Sequence, residues 1–169
     1  MTNYLKNARS VINNFLWDGI KENNILDEDD YRPDGFTKSI IPIIPTQEIP
    51  EFNNLLSGKT YIVYDFEISG YDEDWWMCYE TITYSIISED YSKMIELFEF
   101  MIDLFRRKDI SGKELQISSN ETDYFKFFST CIDRVSSPDP YDFESGMAVA
   151  TIEISYKYSR IIGDEGRYI

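Results

Sequence analysis

Asp65 and Glu67 close the stretch YIVYDFE, and their spacing is the first sign of chemistry in the chain. Two carboxylates one residue apart on a strand point the same way and can hold a divalent cation. A metal-dependent exonuclease built on such a pair needs two further acidic residues and a Tyr or His base four positions before the last of them. The chain has no His. Its Tyr-x-x-x-Asp spacing occurs at Tyr61 and Asp65, inside the first motif itself, and Asn120 to Asp123 only faintly echoes the second motif. We therefore read Asp65 and Glu67 as the solvated side of an amphipathic strand and keep an Asp/Glu metal-dependent nuclease as the enzymatic alternative.

Other chemistry is excluded by residue type. Without His there is no imidazole acid or base, no Ser/His or Cys/His nucleophile and no His-ligated zinc. Cys78 and Cys131 are too few for a disulfide framework or a thiolate zinc site. Both fall in predicted strands and are expected to be buried free thiols. The runs Asp27-Glu28-Asp29-Asp30 and Asp72-Glu73-Asp74 are acidic enough for calcium. Neither follows the EF-hand pattern: Tyr31 stands where a ligand is needed and Gly35 is out of register. No Gly-rich phosphate loop, nucleophile elbow or Cys-x-x-Cys is present. The reading is a non-enzymatic protein with no catalytic residue, no metal and no cofactor.

The elements that would position any site follow from periodicity. Apolar residues from Tyr4 to Ile20 recur at helical spacing and predict a helix over 3–22. Residues 23–38 read as an acidic surface loop with Pro33 and Gly35. Residues 39–59 read as an extended arm or edge strand, because Pro42 and Pro45 cannot donate to a ladder. Over 60–68, Ile62, Tyr64, Phe66 and Ile68 form one side and Tyr61, Val63, Asp65 and Glu67 the other. A second strand over 77–87 makes an antiparallel pair with it. The helix over 88–109 carries Tyr91, Met94, Ile95, Phe98, Met101, Ile102 and Phe105, with Ser88 as a possible cap and Arg106, Arg107 and Lys108 suiting its C-terminus. Two strands follow, over 124–135 and 146–160, and residues 161–169 form a tail. The order α-β-β-β-α-β-β predicts a single α+β domain with a mainly antiparallel sheet.

Two features predict surplus apolar surface. Leu97, Phe100 and Leu104 form a second line beside the first stripe of the long helix, and Trp75 and Trp76, being adjacent, must face opposite ways on a strand. These five residues are the candidate interface. The formal charge of −15, from 16 basic and 31 acidic residues, opposes a groove built from phosphate contacts. The 13 Tyr, 11 Phe and 3 Trp require a folded core rather than a disordered chain. No apolar run approaches the roughly 20 residues that span a bilayer, and no signal-peptide core is read. A soluble protein made in a reducing cytoplasm is expected.

Tyr64-Asp65, Asp74-Trp75-Trp76, Phe105-Arg106-Arg107 and Tyr156-x-Tyr158-x-Arg160, with the element order, resemble tail terminator (tail completion) proteins of tailed bacteriophages. The similarity spans about 40–160. It implies a virion protein of the tail and neck, assembled in the host cytoplasm. It implies a homo-oligomeric ring, a hexamer, that caps the tail tube and joins it to the head–tail connector. DNA would pass through an acidic lumen without specific binding, and no membrane is involved. Another head–tail neck or completion protein is the nearest alternative.

Overall fold

A computed structural model describes residues 8–48, 55–71, 77–106, 125–136 and 147–160. The first helix, α1 (Ala8–Glu22), buries Val11, Ile12, Leu16, Trp17 and Ile20 at helical spacing. Its end is fixed by hydrogen bonding. Asn24 takes a positive φ of 54°, its N–H donates to Lys21 O, and Ile25 N–H donates to Ile20 O at 3.1 Å. That pair of bonds satisfies the last carbonyls, and Asn tolerates the left-handed conformation they require. The predicted part of the helix before Ala8 lies outside the described residues.

The acidic segment is more than a solvated loop. Asp27 caps a 3-10 turn, Glu28–Tyr31, through its side chain. Tyr31 is buried, donates its hydroxyl hydrogen to Thr60 O and packs edge-on against Trp17. The one aromatic residue of the run thus pins acidic backbone to the core.

The extended arm supplies strand β1 (Ile43–Pro45), which runs parallel to β2 (Tyr61–Tyr71) at the sheet edge. Its prolines fit there: the outward edge requires no donor, and Pro42 accepts from Ile62 N–H at 2.8 Å. β2 pairs antiparallel with β3 (Met77–Ser88), with a bulge between Ile68 and Gly70. The last strand, β5 (Ala148–Arg160), lies between β3 and β4 (Phe125–Val135), so the order is β1-β2-β3-β5-β4. The fold is α+β with a mostly antiparallel sheet, as the alternation predicts.

Between β3 and β4 runs α2 (Tyr91–Arg106). Asp90 caps it, its carboxylate accepting from Lys93 N–H at 3.1 Å. Ser88, the expected cap, is turned inward to a buried hydroxyl pair with Thr60 at 2.7 Å, because it still belongs to β3. Both helices cover one side of the sheet. Tyr84 of β3 stacks on Phe105 of α2 and donates its hydroxyl hydrogen to Asn13 of α1 at 2.6 Å. Ile62, Ile82, Ile86, Ile152 and Ile154 complete that buried side. Each such side chain contributes roughly 1.5–3 kcal/mol when fully buried. The opposite side carries Thr81, Thr83, Ser85, Thr151 and Ser155, all half-buried. Of the two thiols, Cys78 is buried as expected. Cys131 is exposed, because it lies on the side of edge strand β4 that neither described helix covers.

Candidate functional site

Asp65 and Glu67 lie on the uncovered side of β2, opposite Thr83 and Thr81 of β3, and both are exposed. Among the described residues no group of three or more His, Cys, Asp or Glu side chains could hold a metal.

The packing corrects one member of the candidate interface on the long helix, Leu97. Leu97 is fully buried and belongs to the domain core, so no partner can reach it. Phe100 and Leu104 are half-buried against the core and are partly covered by α1. A Cβ placed on Gly19 would lie 3.1 Å from Phe100 Cζ and 3.5 Å from Leu104 Cδ2. The missing side chain at Gly19 lets the two helices approach, and α1 takes up part of the second apolar line. Tyr91, assigned to the first stripe, is instead exposed at the N-terminus of α2. Trp75 and Trp76 lie outside the described residues.

A polar cluster sits under the start of α1. Arg9 forms an ion pair with Glu80 of β3, whose side chain is 1% exposed. The Arg9 guanidinium also lies over the ring of Phe66, 3.7 Å from its centroid. Glu80 Oε2 has no hydrogen-bond partner among the described residues. Three tyrosines surround this pair. Burial raises the pKa of Tyr84 well above the usual phenol value, with nearby Tyr64 adding to it. Burial also raises Tyr156, helped by the carboxylate of Glu80, and burial raises Tyr64. These phenols stay protonated through the neutral range. They can donate hydrogen bonds but cannot act as bases, so the cluster braces α1 against the sheet. Its sequence signal was an acid on an apolar side: Cys78, Glu80, Ile82, Tyr84 and Ile86 alternate along β3.

Among the described residues, concave surface offers little more. A cleft of about 500 Å³ beside α1 is lined by Asp18, Lys21, Glu28, Arg32 and Lys38 among others. The signs are mixed, so the cleft gathers no single charge around a ligand.

The unusual surface lies at the far end of β2. Its inward series begins with buried Ile62 and half-buried Tyr64, but Phe66 and Ile68 are 45% and 49% exposed. Burial along β2 itself falls off after Tyr64, although Ile82 and Glu80, the pairing partners of Phe66 and Ile68 on β3, are buried, and β1 ends opposite Tyr64. Phe66, Ile68, Asp65 and Glu67 therefore share one exposed strand segment, apolar on one side, where Arg9 lies over Phe66, and acidic on the other. No protein-family model matches the chain, and a search of curated proteins finds no match. No helix among the described residues is long and apolar enough to cross a membrane.

Proposed function

We propose that the chain is a structural, non-enzymatic virion protein that caps a phage tail tube and joins the tail to the head. The sequence resemblance supports the class, and the ring, taken as a hexamer, rests on it. The observation that carries the joining role is the exposed Phe66 and Ile68 beside a strand edge that no described strand occupies. With Leu97 buried and Phe100 and Leu104 partly covered by α1, this apolar surface is the larger one left for another protein. The partners are a second copy in the ring, the tail tube protein and the head–tail connector. DNA passes through the lumen without specific binding, consistent with the net charge of −15.

The experiment is light scattering and electron microscopy of the purified chain, alone and with tail tubes. The expected result is a ring on tube ends. A chain that stays monomeric and leaves tube ends bare overturns the reading. A chain that binds connectors but not tubes makes it a different neck protein.

A further inference from the structure

Among the described residues, the exposed segment of β2 also has backbone that no strand pairs with. Ile62 N–H donates toward the β1 side, to Pro42 O, and Tyr64 O accepts from Thr46 Oγ1 on that same side at 3.3 Å. Backbone groups alternate in direction along a strand with a period of two. Phe66 and Ile68 therefore turn their N–H and C=O groups to the edge that β1 no longer occupies, and no strand pairs there among the described residues. On one side of this edge stand the exposed side chains of Phe66 and Ile68. On the other stand Asp65 and Glu67, exposed and without an ion-pair partner among the described residues. Arg9 lies over the Phe66 ring and is itself held by Glu80, so the apolar side of the edge is braced from within the domain.

We propose that Asp65 to Ile68 is a docking edge for an extended segment of a basic partner protein, in which Lys or Arg alternates with aliphatic residues. Charge decides between occupants. A second copy pairing two-fold through the same segment would set Asp65 and Glu67 against their own equivalents, and like charges opposite each other destabilise a strand pair. The net charge of −15 also draws in a cation-bearing strand. Such a strand places its cations opposite Asp65 and Glu67, about 5 Å across, and its aliphatic side chains on Phe66 and Ile68. Main-chain bonds give the affinity and the alternation gives the selectivity. The inference deepens the joining surface proposed above and rests on that reading only for which virion protein donates the strand.

The test uses the full chain and a labelled, end-blocked synthetic heptapeptide of alternating valine and lysine, followed by fluorescence anisotropy. The controls are the same residues scrambled, a valine–glutamate alternation, and a valine–lysine peptide N-methylated at every second residue. The alternating basic peptide is expected to bind at least about tenfold more tightly than each control, a difference of about 1.4 kcal/mol. The double variant Asp65→Lys, Glu67→Lys should lose that binding and take up the valine–glutamate peptide instead. Ile68→Asp should weaken the basic peptide, with circular dichroism confirming the fold of each variant. Equal binding of alternating and scrambled peptides would mean only the general field of an acidic protein, and overturns the proposal. So does unchanged binding by the double variant, or no binding at millimolar peptide. Self-association of the wild type that Ile68→Asp abolishes assigns the edge to a second copy and overturns the basic-partner proposal. Ring formation on tail tubes is read separately, so either reading can fail without the other.

Discussion

Arg9, on the first turn of α1, holds the carboxylate of Glu80, set near the start of β3 and almost wholly buried. The two residues are 71 positions apart. Their pairing fixes where the N-terminal helix crosses the sheet, and the same guanidinium lies over the exposed ring of Phe66. Core packing and the candidate docking edge thus share one side chain. A change at Arg9 should be felt in both.

The first prediction concerns that pair. Arg9→Ala leaves a buried carboxylate without its counter-charge, and breaking one partner of such a pair costs about 3 kcal/mol or more. Replacing both, as Arg9→Met with Glu80→Leu, should recover most of the loss because neither charge is then desolvated. Urea denaturation of the two variants checks this. Equal stability of Arg9→Ala and wild type would show the pair to be solvated.

The helix contact gives a second prediction. Leu97→Ala empties a fully buried site and should cost about 3 kcal/mol, whereas Phe100→Ala, half-buried under α1, should cost less, about 1–2 kcal/mol. Gly19→Ala gains helix propensity of roughly 0.5–1 kcal/mol and meets Phe100 Cζ at 3.1 Å. That atom is the far end of a half-buried side chain and can shift, so the net change should be small. Gly19→Leu cannot be absorbed in this way and should destabilise by about 1–3 kcal/mol. Denaturation midpoints across the four variants give the order.

How much of this was legible in the sequence depends on the distance over which each feature is decided. The run 77–87 was read locally as a strand, and the alternation of Ile152, Ile154 and Tyr156 gave β5 and its buried side directly. The stripe on α2 was local too. Whether Leu97, Phe100 and Leu104 faced a neighbour in the same chain was not, because it hinges on Gly19 of another helix. Alternation also assigned Phe66 and Ile68 to the apolar side of β2 but could not say where burial along the strand falls off. Glu80 was visible as an acid among apolar neighbours, while its partner Arg9 could be found only once the fold brought α1 across β3.

A third prediction follows from the buried phenols. Tyr84, Tyr156 and Tyr31 all have folded pKa values above the ordinary value, chiefly because burial disfavours phenolate. The unfolded chain ionises them near pH 10, while the folded protein keeps its protons. The folded state then binds more protons, so stability must fall as pH rises above about 10 and stay unaffected by these groups below it. Absorbance of tyrosinate followed with circular dichroism checks the window. These tyrosines should titrate only as the fold is lost. Full titration of all 13 tyrosines in a folded protein contradicts it.

The last prediction concerns Asp65 and Glu67 as chemistry. Both side chains are exposed on the uncovered side of the sheet, with Thr83 and Thr81 as their cross-strand neighbours on β3. A two-carboxylate nuclease centre holds its metal between several converging acids in a shaped, water-restricted site, and among the described residues no such group of acids converges here. The net charge of −15 further disfavours a phosphate backbone, since affinity for DNA comes mainly from neutralised phosphates. Incubation with single- and double-stranded DNA and Mg²⁺ or Mn²⁺ should leave the DNA intact, with Asp65→Asn indistinguishable from wild type. Binding at physiological salt should be weaker than micromolar. Cleavage that Asp65→Asn removes would make the chain an enzyme. Tight binding that weakens steeply with added salt would instead reveal a basic surface, at odds with an acidic lumen that DNA passes without adhering.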